Sequence, residues 1–168
     1  IDLRELGSGS TGATNVLRQV GKGPALVVFL IDVGKGAAAV LLARAFGQSD
    51  WIQVLAGLTA LAGHIWPVWL NFKGGKAVAT GFGMFLGLAW PVGLASFGVF
   101  LLTLWLFRIV SLSSVLAAVS LPLLMIRFSG IGSYILIALV AMGLVLWRHR
   151  SNLSRILEGS EPKVGQQD

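Results

Sequence analysis

The sequence contains no cysteine, which excludes disulfides, thiolate zinc sites, iron–sulfur clusters and cysteine nucleophiles. Charge is scarce: Asp, Glu, Lys and Arg make up 12% of 168 residues, about half the roughly 25% of an ordinary soluble domain. Too few charged side chains remain to cover the surface of a water-soluble fold. Acidic residues are scarcer still, 7 against 13 basic ones, and there are 2 histidines. Neither Asp32 nor Lys35 has nearby carboxylate or His partners that would make a metal site. No metal and no cofactor are therefore expected.

What is abundant is apolar. Hydrophobic residues are 55% of the chain and mean hydropathy is +0.82, so the chain reads as an integral membrane protein of one domain. In that setting the net charge of +6 reflects loop sidedness, and nucleic acid is not expected as a partner. A spanning helix needs about 20 apolar residues, because its backbone must bond to itself across lipid. Trp51 to Phe72, Ile109 to Ile126 and Phe128 to Trp147 carry no Asp, Glu, Lys or Arg. Ala77 to Phe107 is also uncharged but too long for one span, and Trp90-Pro91 divides it, since proline is tolerated at a helix start and not inside. The predicted fold is all-α, a polytopic membrane helix bundle with six segments, about 24–46, 51–70, 77–89, 91–107, 111–127 and 131–147.

The basic residues test that count. Six segments place Arg4, Arg18, Lys22, Lys73, Lys76, Arg108, Arg148, Arg150, Arg155 and Lys163 on the side of the termini, against Arg44 and Arg127 opposite. So strong a bias marks the first side as cytoplasmic. Treating Ala77 to Phe107 as one helix would largely erase it.

Four polar clusters then face the cytoplasm: Gly7-Ser8-Gly9-Ser10-Thr11-Gly12-Ala13-Thr14-Asn15 closed by Arg18, Lys73-Gly74-Gly75-Lys76, Ser111-Leu112-Ser113-Ser114, and His149 with Asn152 and Arg155. Glycines admit close backbone approach and can turn successive N–H groups into an anion nest, hydroxyls add donors, and Arg or Lys adds charge. The chemistry indicated is phosphate binding. Gly7 to Gly12 imitates the start of a nucleotide-binding P-loop, but Ala13 stands where that motif requires lysine, which excludes an NTPase. Ser111 and Ser114 are expected to cap their helix. His149, Asn152 and Arg155 are expected on one face of a helix continuing the last span. Arg148 and Arg150 suit anionic lipid headgroups. Within the apolar segments, Asp32 and Lys35 are expected to pair with each other or with a neighbouring helix. His64 is read either as a hydrogen-bonded packing residue or as a catalytic one.

Taken in order, Gly7-Ser8-Gly9 through Asn15 to Arg18, Gly63-His64 with Pro67 and Phe72-Lys73-Gly74-Gly75-Lys76 followed by Val78-Ala79-Thr80, Ser111 to Ser114, and Arg148-His149 to Asn152, Arg155, Gly159 and Glu161 closely resemble the bacterial acyl-phosphate:glycerol-3-phosphate acyltransferases, the PlsY family. Departures are Ser10, where that family usually has Asn, and Ala77, where Gly is usual. The resemblance implies transfer of a fatty acyl group from a long-chain acyl phosphate to the 1-hydroxyl of sn-glycerol 3-phosphate, giving lysophosphatidic acid and inorganic phosphate, at the bacterial plasma (inner) membrane with a cytoplasmic active site. It implies that Ser8, Arg18, Lys76, Ser114, His149 and Asn152 are the catalytic set that binds and orients phosphate. Gly9, Ser10, Thr14, Asn15, Lys73, Gly74, Gly75, Thr80, Ser111 and Arg155 complete the expected substrate-binding set. The family has seven transmembrane helices, so the resemblance also implies a chain lacking its first one. A monomer embedded in membrane lipid is expected.

The His-x-x-x-x-Asp motif of other acyltransferases is absent: Trp69 lies five residues after His64 and Ser154 five after His149. No Asp or Glu in the cytoplasmic motifs suits a general base, so a substrate phosphate is expected to accept the hydroxyl proton. A small phosphate or organic-anion transporter is the alternative, since basic residues and broken helices also line transport sites. Polar groups confined to one face argue against it.

Overall fold

A computed structural model describes residues 1–165. Eight α-helices follow in order: α1 (Ala13–Gln19), α2 (Lys22–Ala45), α3 (Asp50–Ile65), α4 (Val78–Leu88), α5 (Trp90–Phe107), α6 (Val110–Phe128), α7 (Gly132–Arg148) and α8 (Arg150–Leu157), with a 3₁₀ turn at Val68–Leu70. No strand occurs among the described residues. The chain forms two compact units, Ile1–Leu88 and Ala89–Asp168. In the first, α1, α3 and α4 pack on α2; in the second, α5, α7 and α8 pack on α6.

Local chemistry sets the helix ends. Asp50 stands in the first turn of α3, where the positive end of the helix dipole favours a carboxylate. Trp66 leaves the helical region, as the residue before Pro67 must tend to do. Ala89 is extended and Pro91 falls in the first turn of α5, so the uncharged run from 77 to 107 divides where the sequence places its break. Each of the six tryptophans stands within two residues of a helix end, the position that suits an amphipathic ring at a lipid–water boundary.

Lys22–Ala45, Asp50–Leu70, Trp90–Phe107 and Val110–Phe128 are long and apolar enough to cross a membrane. A fifth is reached if α7 and α8, bent by 60°, count together. The predicted segment 77–89 becomes the 11-residue α4, about 16 Å long and roughly half the hydrocarbon thickness. In lipid, apolar side chains gain nothing by leaving water, so helix association rests on close packing and hydrogen bonds. The first unit supplies both. A Cβ on Gly36 of α2 would overlap the Thr80 carbonyl oxygen, and one on Gly83 of α4 would overlap that of Val33. These glycines bring α2 and α4 into backbone contact, with Val40, Met84 and Phe85 buried around them. At the far end of α4, Arg44 donates to the Leu88 carbonyl at 2.9 Å and to Gln53 Oε1 at 3.1 Å, occupying a helix-terminal carbonyl that has no partner within its own helix.

Candidate active site

In the first unit the loop before α1 is organised by Asn15, which is 2% exposed. Its Nδ2 donates to the carbonyls of Leu3, Leu6 and Ser10 at 3.2, 3.0 and 2.9 Å, and its Oδ1 accepts the Ser8 N–H at 3.2 Å. Asn15 thus holds the loop together through its side chain. Gly7 and Gly9 adopt left-handed φ of 57° and 65°, and a Cβ at Gly7 would come 2.5 Å from Asn15 Oδ1. Ser10 likewise turns inward, its Oγ accepting the Gly12 N–H at 3.3 Å. Ser8, Thr14 and Arg18 stand exposed on the rim, and of the three only Ser8 joins the bonds around Asn15, through its backbone N–H. Beside them Asp2 and Arg4 pair at 2.6 Å; the guanidinium's hydrogen bonds hold the Asp2 carboxyl down at about 2. Arg4 also reaches the Leu70 carbonyl at 3.5 Å, placing this loop beside the turn that leads into Lys73.

The Lys73–Lys76 segment differs from its expectation. The Gly74 and Gly75 N–H groups donate to the carbonyls of Ile65 and His64 at 3.1 and 3.2 Å, the last carbonyls of α3, which an α-helix leaves unsatisfied. These two N–H groups therefore close α3 instead of forming an anion nest. A Cβ on Gly74 would overlap the His64 carbonyl and one on Gly75 would overlap His64 Nε2, so both positions demand glycine for contact. Lys73 and Lys76 stand at either end of this clamped pair, just before the first turn of α4. Thr80, expected at the substrate, is fully buried and its hydroxyl has no partner; its backbone lies against Gly36.

The same unit joins three polar residues of its apolar helices. Lys35 Nζ lies 2.6 Å from Asp32 Oδ1 and 2.6 Å from His64 Nδ1, and that nitrogen is 3.3 Å from Asp32 Oδ1. Asp32 and Lys35 pair with each other and with a neighbouring helix at once.

In the second unit the expected serine caps are absent. Ile109 is the N-cap of α6 and no side chain caps it. Ser113 and Ser114 donate back to the carbonyls of Ile109 and Val110 at 2.8 and 2.9 Å, the i−4 bond that such hydroxyls form once they lie within a helix. Ser111 instead donates to Glu161 Oε1 at 2.7 Å. The helix expected to continue through Asn152 breaks at His149 with a 60° bend. His149 is buried, its Nδ1 2.8 Å from the Val145 carbonyl, and a carbonyl can only accept, so Nδ1 carries the proton. Asn152 Nδ2 and Arg155 Nε donate to Glu161 Oε1 and Oε2 at 2.6 and 2.7 Å. Glu161 thus gathers Ser111, Asn152 and Arg155 onto one buried carboxylate. Burial raises its pKa, but the three hydrogen bonds and the Arg155 charge outweigh that and leave it below the ordinary carboxylate value. So held, it remains an anion at neutral pH. Periodicity gave no reason to single out Glu161; its place at the end of the Arg148–Glu161 motif was the available signal. Arg148 and Arg150 both stack on Trp147, at 5.5 and 5.2 Å.

Among the described residues no group of three or more His, Cys, Asp or Glu could hold a metal ion. Helices of this length and apolarity, joined by loops rich in glycine, serine and cations, define an integral membrane protein of several spans. A model of the glycerol-3-phosphate acyltransferase family matches residues 1–159. The glycerol-3-phosphate acyltransferase of Parasynechococcus marenigrum (strain WH8102) is 74% identical over 166 residues, 99% of this chain and 78% of that protein. That of Synechococcus sp. (strain CC9902) is 70% identical over 99% of this chain and 83% of its own. A crystal structure of PlsY, an integral membrane glycerol 3-phosphate acyltransferase, in its glycerol 3-phosphate form superposes with a TM-score of 0.93 at 38% identity, covering 98% of this chain and 83% of that one. Its lysophosphatidic acid form gives 0.88, covering 94% and 81%. The chain belongs to the glycerol-3-phosphate acyltransferase family, and it is an acyltransferase of phospholipid synthesis. None of these relatives is a transporter.

Proposed function

We propose that the acyl donor is a long-chain acyl phosphate and that the acyl group goes to the 1-hydroxyl of sn-glycerol 3-phosphate, releasing inorganic phosphate and lysophosphatidic acid. The observation that carries this reading is the start of α4, where Lys73 and Lys76 flank a loop clamped onto α3 and the helix opens with unsatisfied N–H groups. An acyl phosphate is a mixed anhydride whose leaving group departs without full protonation, so the larger difficulty is bringing two phosphorylated substrates together. Ser8, Arg18, Lys76, Ser114, His149 and Asn152 are the groups we assign to binding phosphate and offsetting that repulsion. Lys73, Gly9, Ser10 and Thr14 shape the first loop pair, while Ser111 and Arg155 act through Glu161. A substrate phosphate takes the hydroxyl proton, since the one buried carboxylate among the cytoplasmic motifs is already held by three donors.

We read both units as parts of one acyltransferase domain, 1–168, a reading that the family match over residues 1–159 supports. The six segments include α4 as a half-span, and the phosphate-handling loops face the cytoplasm at the bacterial inner membrane, in a monomer. The PlsY forms carrying glycerol 3-phosphate and lysophosphatidic acid support the acceptor and product. Assay of the purified protein with acyl phosphate, then with acyl-CoA, tests the donor: lysophosphatidic acid is expected from acyl phosphate, and product from acyl-CoA alone would refute it.

A further inference from the structure

The cluster of Asp32, Lys35 and His64 lies inside the apolar helices and does no chemistry in the reaction as described. Its geometry nevertheless constrains one proton. Lys35 Nζ stands 2.6 Å from both Asp32 Oδ1 and His64 Nδ1. An ammonium has donors and no acceptor, so both atoms facing it must accept, and Nδ1 must be bare. The neutral imidazole then carries its proton on Nε2. The alternative, Nδ1–H donating to Asp32 across 3.3 Å, would set an N–H donor against the lysine donors at 2.6 Å.

The other edge of the ring meets the Lys73–Lys76 loop. A Cβ on Gly75 would overlap Nε2, and the His64 carbonyl receives the Gly75 N–H at 3.2 Å. The side chain and backbone of His64 thus form the floor under Gly75, with the side chain 7% exposed. We propose that Lys35 and Asp32 fix His64 as its Nε2–H tautomer, and that His64 in this state is the positioning residue that seats the Lys73-Gly74-Gly75-Lys76 loop. The chain's other histidine is held the opposite way, its Nδ1–H donating to the Val145 carbonyl at 2.8 Å. The two imidazoles of this protein therefore carry opposite tautomers.

The kinetic consequence rests on the reading of that loop as a phosphate site; the tautomer does not. With histidine labelled by nitrogen-15 in the purified full chain, one imidazole should show a protonated Nε2 and the other a protonated Nδ1, with His64→Gln identifying the first. Lys35→Met should shift the His64 proton to Nδ1, where Asp32 accepts it, and raise the KM for glycerol 3-phosphate or acyl phosphate about tenfold or more while kcat falls less. Lys35→Arg, which keeps a cationic donor, should retain the tautomer and most of the affinity. A His64 ring protonated on Nδ1 in the parent protein, or in Lys35→Arg, would overturn the assignment. So would an unchanged KM in a folded Lys35→Met whose tautomer has switched. If Lys76→Ala also leaves both KM values unchanged, the phosphate-loop reading fails, while the nitrogen spectrum still decides the tautomer.

Discussion

The two units use glycine for different ends. In the first, Gly36, Gly57, Gly74, Gly75, Gly83 and Gly87 each have a neighbour where a Cβ would go, and for Gly36, Gly74 and Gly83 that neighbour is backbone. In the second, Gly98, Gly132 and Gly143 face open space, and order around the polar cluster comes from hydrogen bonds to Glu161. In the first unit α2 and α4 meet where side chains are absent; in the second the polar cluster is held by a single carboxylate. Steric contact is indifferent to pH and salt, whereas the carboxylate's bonds depend on its charge.

That contrast can be broken by mutation. The largest effect is expected from Gly83→Ala, whose added methyl group has only backbone to displace; a loss of about 3 kcal/mol or more, near the upper end for overpacking, should appear in thermal unfolding of the purified protein. Glu161→Ala should follow, leaving Ser111 and Asn152 without their acceptor and costing about 2 kcal/mol, with activity falling further than stability. The same site supplies a pH test. Because the Glu161 pKa is lower in the folded state, its stabilisation is complete above the ordinary carboxylate range and disappears as pH falls through the folded value. Acid unfolding of Glu161→Gln should be shallower than that of the parent, and equal slopes would show that the second unit does not depend on this charge. Ala77 has a φ of 60°, which a Cβ disfavours by about 1–2 kcal/mol, so Ala77→Gly should raise the melting temperature modestly without loss of activity. Gly98→Ala should be smallest, a gain of up to about 1 kcal/mol from helix propensity. A large loss there would remove the distinction between the units.

Much of the architecture was legible in the sequence because membrane helices announce themselves by length and polarity. The break at Trp90-Pro91 needed only the rule that proline belongs at a helix start, and the pairing of Asp32 with Lys35 only the expense of charge in lipid. Ala77, noted as unusual by family resemblance, is explained by its left-handed backbone. What was not legible depends on tertiary placement. Gly74 and Gly75 look like a nest in sequence, yet their N–H groups go to α3, and nothing local to them names that partner. The Ser111 hydroxyl was expected to cap a helix and instead meets a carboxylate fifty positions away. The bend at His149 interrupts a pattern that periodicity alone would carry through.

Arg44 has a consequence for how this fold can vary. Its guanidinium receives the end of α4 at Leu88, where lipid offers no donor. α4 is therefore measured against a fixed mark on α2, as a rod is cut to a stop. Deleting one residue from α4 would withdraw its last carbonyl by about 1.5 Å and swing it through about 100°, out of reach of the stop. Insertions and deletions in this half-span should thus be tolerated only when position 44 changes with them, and lineages should differ in loop length far more readily than in the length of α4.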